Sequence, residues 1–266
     1  MKMKPRNRIV KNIILKNSIF LLVLQVPLWA FEITSASHAV DIAGKQRMFT
    51  QNMLKNYTMV GMNNQFGNPS KKLITLEKEF EEHLNALVLQ AQTAQTKESL
   101  TVVQSLWTPI LQTLKETPSK EKVAGLQKSL DTLLKASDTA TQAFAKESGK
   151  SSAKVVNMSG KQRMLSQRMA SLYMLKVWGI DDPLFEAKLQ KSMDEFKTSL
   201  VKLEQTEINT DEINKELKKV KRAFMYFEMM SKSKSKYTPS LIYKKSNDIL
   251  KSMNSVTHAY VALENK

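Results

Sequence analysis

The phrase GKQRM occurs twice in this chain, beginning at Gly44 and again at Gly160. From those two glycines onward, eight of fourteen positions are identical: Gly, Lys, Gln, Arg, Met, then Gln, Met and Tyr. Unrelated sequences of ordinary composition share roughly one position over that length. The offset of 116 recurs at the far end of each interval, where LLKASDTATQAF (133–144) lies over ILKSMNSVTHAY (249–260). Leu73, Phe80, Leu84 and Leu87 likewise fall on Leu189, Phe196, Leu200 and Leu203. The duplicated unit is therefore the whole interval, and whatever one half folds into the other must fold into as well.

The pattern inside each unit is helical. Leu73, Leu76, Phe80, Leu84 and Leu87 step by three or four, as do Leu189, Met193, Phe196, Leu200 and Leu203. The same spacing recurs in Ile213, Leu217, Val220, Phe224 and Phe227 and in Val123, Leu126, Leu130 and Leu133, one apolar stripe per helix. Breaks are expected at Pro69, Pro118, Pro183 and Pro239, and Pro109 implies a kink or a restart capped by Thr108. The fold class is all-α, with two tandem antiparallel four-helix bundles at 40–147 and 148–266. Only Gly149 and SGKSSAK interrupt the pattern between Ala136 and Trp178, so the last helix of the first bundle is expected to run nearly continuously into the second, giving an elongated rod.

Residues 1–39 read as a signal peptide: six Lys or Arg, then the run SIFLLVLQVPLWAF, then small residues in SASHA. The run is shorter than the roughly 20 apolar residues a bilayer span needs. Cleavage is expected after Ala36 or Ala39, the 1–39 boundary placing His38 in the leader, with an uncleaved N-terminal anchor as the alternative. Export to the periplasm follows. Cysteine is absent, which excludes disulfides, thiolate metal sites and thiol nucleophiles. Residues 40–266 hold 35 basic and 24 acidic side chains, a net charge of +11; that excess suggests acidic surfaces or anionic ligands, beside the plainer reading that the lysines are solvated helix faces, and in an exported protein nucleic acid is not an expected partner.

On a helix, Gly44, Arg47, Met48 and Gln51 share one face, as do Gly160, Arg163, Met164 and Gln167. Glycine lets a second backbone approach, and the rigid guanidinium fork suits planar oxyanions. A lone helical Arg is usually structural, paired with a carboxylate or reaching outward to water; repetition of Gly, Gln and Arg together weighs against that reading.

AGKQRMFTQ and SGKQRMLSQRM resemble the first-helix signature of the type IV pilus chemotaxis transducer N-terminal (PilJ-like) domain, which is related to nitrate and nitrite sensor domains. The resemblance implies a four-helix bundle. It also implies nitrate binding by the Arg three residues after the Gly, with a matching Arg facing it from a second first helix across a dimer interface. Those roles fall on Arg47 and Arg163, with Gly44, Gly160, Gln51 and Gln167 beside them. The first unit departs from the signature at Asn52, where the second has Arg168. Family members usually carry a second membrane span and a cytoplasmic output module; this sequence shows neither, so a sensory role needs a membrane-bound signalling partner. A homodimer is one way to bring two such helices together, and Arg47 with Arg163 in one chain is another.

The competing reading is a helical envelope scaffold or adaptor with no small-molecule ligand. An enzyme is not expected: His83 and His258 do not correspond between units, and no nucleophile or metal-ligand spacing appears. No cofactor is implied, and the fifteen Met read as core packing rather than a copper site.

Overall fold

The computed structural model describes residues 31–231 and 238–263, together with Met1. Among the described residues there are eight α-helices and no strand: α1 (Ala36–Gly61), α2 (Pro69–Gln90), α3 (Ala94–Lys115), α4 (Lys120–Ser148), α5 (Ser151–Val177), α6 (Phe185–Glu204), α7 (Asp211–Ser231) and α8 (Thr238–Leu263). The leader's basic start and nearly all of its apolar run lie outside the described residues. Its expected end does not: Ser35 caps α1 by accepting from the His38 amide, so Ala36, His38 and Ala39 belong to that helix.

Four of the expected proline breaks coincide with helix starts or connections. Pro69 opens α2 after Asn68 in the left-handed region, and Pro239 lies in the first turn of α8. Pro118 and Pro183 fall between helices. Pro109 does not break α3, which continues through it without a restart at Thr108.

Each half is a bundle. α1 packs on α2 and α4, and α3 on α4; in the second half α5 packs on α6 and α8, and α7 on α8. Phe80 and Phe196 are both fully buried, as are their mates Leu87 and Leu203. Phe80 stacks on Trp107 at 4.2 Å between ring centres, and Phe196 stacks on Phe224 at 4.6 Å. The third helices are offset by one further residue. Leu100, Val103, Trp107 and Ile110 occupy the buried stripe that Leu217, Val220, Phe224 and Phe227 fill in α7, and the duplication stays in phase because α4 and α8 return to the original offset.

The near-continuous helix between the bundles is not formed. Gly149, at φ 61°, ends α4 in the left-handed conformation that a Cβ disfavours, Lys150 is extended, and the chain turns back on itself. The bundles consequently lie side by side rather than end to end, with α1 packed along α5. This replaces the expected rod. The two helices run parallel about a pseudo-two-fold axis: Ser37 Oγ meets Ser152 Oγ at 3.1 Å near their starts. Further along, the pair Lys55–Gln167 is mirrored by Ser171–Gln51. In these last two contacts a position in one helix and its repeat in the other exchange roles. One chain builds this symmetric interface from its own two halves.

This central position explains an oddity of composition. In α1, 21 of 26 residues are buried although the helix is rich in Gln, Asn, Thr and Lys. One face enters its own bundle through Phe49, whose ring meets Phe80 at 6.3 Å between ring centres, and the other lies against α5.

Candidate functional site

Gly44 and Gly160 bring the two helix backbones together. A Cβ placed on Gly160 lies 4.0 Å from the Gly44 Cα and 3.2 Å from Nη2 of both Arg47 and Arg163. The two guanidinium groups therefore converge over the glycine contact, with their Nη2 atoms within twice that distance of each other. Both arginines are buried, Arg47 at 2% exposure and Arg163 at 0%.

Their partners obey the same pseudo-symmetry. Arg47 donates through Nη1 to Asp138 Oδ1 at 2.6 Å and through Nη2 to the Asn157 carbonyl at 3.3 Å. Arg163 donates through Nη1 to Asn254 Oδ1 at 3.3 Å and through Nη2 to the Asp41 carbonyl at 3.3 Å. Asp41 and Asn157 are repeats of one position, and so are Asp138 and Asn254. The duplicated site has thus diverged by exchanging Asp and Asn. Each arginine keeps one carboxylate, from α4 for Arg47 and from α1 for Arg163.

The two carboxylates differ in setting. Asp138 is 41% exposed, whereas Asp41 is fully buried with Oδ1 2.5 Å from Arg163 Nη2. Burial pushes the Asp41 carboxyl up, but the Arg163 guanidinium and the Lys45 ammonium, 3.5 Å from Oδ2, outweigh it and leave the carboxyl below its ordinary range. Burial pulls the Arg47 guanidinium down against the opposing pull of Asp138. Neither Asp41 oxygen has a well-directed hydrogen-bond donor, although the ion-pair contact with Arg163 is close. Nε of Arg47 and Nε of Arg163 have no acceptor among the described residues. Two buried, orphaned N–H donors on facing forks are what a planar oxyanion would satisfy.

Gln51 and Gln167 belong to a second polar layer and make no contact with the arginine pair among the described hydrogen bonds. Gln51 Oε1 accepts from Ser171, and its amide reaches Asp131 at 3.5 Å. Gln167 donates to the Ser246 carbonyl and accepts from Lys55. Here the divergence concerns charge as well. Arg168 pairs with Asp131 at 2.6 Å, but the repeat of Asp131 is Asn247, which accepts from Lys55 at 2.7 Å. Lys55 is wholly buried, 4.4 Å above the Tyr243 ring, among neutral acceptors, and burial holds its ammonium well below the ordinary lysine range. Among the described residues, no group of three His, Asp or Glu is placed to hold a metal ion.

The glycine and arginine face singled out in the sequence is assembled as one site within one chain. Asp41, Asn157, Asp138 and Asn254 were not singled out, although Asp41 and Asn157 stand three residues before the two glycines in DIAGKQR and NMSGKQR. Residues 144–225 match the type IV pili methyl-accepting chemotaxis transducer N-terminal family. The PilJ-like segment runs from the end of α4 through α5 and α6 into α7 and carries Gly160, Arg163 and Gln167. It is similar to a sensory domain of chemotaxis transducers. The first bundle is not covered by the match except at its last residues. Comparison with curated proteins and with solved structures gives no match. No helix among the described residues is long and apolar enough to cross a membrane.

Close to the ion pair, His83 is 8% exposed and packs against Phe49 and Phe31. Burial foremost, with the positive charge of Lys45 beside it, pulls its pKa down to about 4. The unfolded chain takes up this proton near pH 6.5, before the folded chain does. His83 therefore leaves stability intact above that value and removes it as pH falls toward 4, by up to roughly 3 kcal/mol. Urea unfolding between pH 7 and pH 4 should show that slope in the parent and a flatter one in His83→Phe; identical slopes would remove His83 as the cause.

Proposed function

We propose that this chain is an exported sensory module that binds a small planar oxyanion, of the nitrate or nitrite class, between Arg47 and Arg163, and that it reports occupancy through a membrane-bound signalling partner. The observation that carries this reading is the pair of buried, facing guanidinium groups, each with an orphaned Nε, over the contact between Gly44 and Gly160. The PilJ-like match in the second bundle supports a sensory role. The leader-like residues 1–39 support export to the periplasm.

Each arginine already holds a carboxylate, so an entering anion competes with it. Asp138 is the partner that gives way, because water replaces its lost contact, whereas Asp41 has no solvent to turn to. Asp138→Asn makes the α4 position equal to Asn254 and is expected to tighten nitrate binding about five- to tenfold, roughly 1 to 1.4 kcal/mol. Arg47→Met should abolish it. Thermal unfolding with increasing nitrate is the test: the parent gains stability by mass action, about 2.7 kcal/mol at a hundred times Kd. A parent that shows no shift with nitrate or nitrite, and is indistinguishable from folded Arg47→Met, would leave the helical scaffold reading in its place.

A further inference from the structure

The duplication supplies an internal control for the molecular surface, because each exposed position in one bundle has a counterpart on the same scaffold in the other. Many counterparts differ, Lys78 with Asp194 and Glu81 with Lys197 on α2 and α6 among them, and on the outer face of α7 and α8 the difference is a gathering of cations. Lys218, Lys219, Lys221 and Arg222 stand in α7 where α3 carries Thr101, Val102, Gln104 and Ser105. On α8, Lys245 and Asp248 replace Ser129 and Thr132 of α4.

Of these, Lys219, Arg222, Lys245 and Asp248 line an open groove between α7 and α8 of about 430 Å³, whereas Lys221 pairs with Glu204 of α6. Its floor is the small pair Ala223 and Ser252, each 9% exposed. Four cations, Lys219, Arg222, Lys245 and Lys251, face two carboxylates. Glu216 is taken by Lys219 at 2.5 Å and Asp248 by Lys245 at 3.5 Å. Arg222 and Lys251 have no ion pair among the described residues. Beyond the basic stretch the same edge becomes apolar, where Met225, Met229 and Leu241 are 61%, 63% and 45% exposed. The Tyr226 ring joins the two zones with Lys245 Nζ 5.0 Å from its centre.

We propose that the α7/α8 groove docks an amphipathic helix of a partner protein, with carboxylates at one end for Arg222 and Lys251 and apolar side chains at the other for Met225, Met229 and Leu241. A long concave seat between two helices fits a helix laid along it. The unpaired cations select a negatively charged partner and set its direction. Small floor residues let its backbone come close. The first bundle keeps the fold and, in Lys135, the counterpart of Lys251, but it has Ser105, Val102 and Ser129 in place of Arg222, Lys219 and Lys245 and does not dock it. Docking is independent of the anion site, so either reading can fail without the other.

The probe is a synthetic 18-residue alanine-based helical peptide with glutamates along one half of a face and leucines along the other, compared with the same peptide carrying lysine for glutamate. Binding to the full chain is followed by fluorescence anisotropy without nitrate. The acidic peptide should bind, and binding should weaken as NaCl rises from about 50 to 300 mM. Arg222→Glu/Lys251→Glu should weaken it at least tenfold with the thermal midpoint unchanged. Ser105→Glu, at the counterpart of Arg222, should leave it as in the parent. Absence of binding at millimolar peptide overturns the proposal, as does equal binding of the lysine peptide or equal loss in Ser105→Glu. Vesicles of phosphatidylglycerol that bind the chain through the same two cations, while the peptide does not, would assign the face to a membrane surface instead.

Discussion

Asp41→Ala should destabilise this protein by about 3–5 kcal/mol, a large fraction of the total stability of a domain. The carboxylate and the Arg163 guanidinium are both fully buried, and removal of the acid strands a positive charge that has only Asn254 Oδ1 and a backbone carbonyl left to accept from it. Asp138→Ala breaks the pseudo-symmetric contact to Arg47, but at a carboxylate 41% exposed to water. Its cost should be about 1 kcal/mol. Urea unfolding of the two variants beside the parent measures the contrast. Equal costs, or a cost below 1 kcal/mol for Asp41→Ala, would mean that the Asp41 pair is not desolvated as the packing of α1 on α5 requires.

The same asymmetry shows where sequence reasoning reaches its end. The apolar stripes were legible because α2, α6 and α7 each bury a single face. Leu73, Phe80, Leu84 and Leu87 therefore announce themselves by spacing alone. α1 and α5 bury two faces, and the second is made of Gly, Arg, Gln and Ser, residues that no periodicity marks as interior. The repeat of GKQRM was the visible trace of that face, and it identified Arg47 and Arg163 as a pair. It left open whether they meet in one chain or across two. The decision lies with Gly149, whose left-handed turn folds the second bundle back along the first, and a single glycine in a weakly helical stretch looks the same in either arrangement. The acidic partners of the arginines were hidden for another reason: each has an Asn at the repeated position, so identity between the copies points away from them.

Phe196→Ala is expected to cost about 3–5 kcal/mol, and Phe80→Ala the same within about 1 kcal/mol. Both rings are at 0% exposure, both stack on an aromatic of the third helix, and the backbone carbonyl of each accepts from the Gln two residues after the repeated glycine, Gln46 in one copy and Gln162 in the other. The cavity left behind is bounded by equivalent helices in the two bundles. Thermal or urea unfolding of both variants tests whether the duplication is energetic as well as geometric. A bundle that tolerates the loss at under 1 kcal/mol while the other does not would show that the two cores have diverged as their polar interface has.

The stoichiometry of nitrate binding tests the account most directly. Isothermal titration of the purified chain, with its mass in solution fixed by sedimentation, counts sites per molecule. Arg47 and Arg163 meeting across α1 and α5 predict one nitrate per monomeric chain, lost in Arg47→Met. No binding, two nitrates per chain, or one nitrate for every two chains would contradict a single site built by one chain from its two halves.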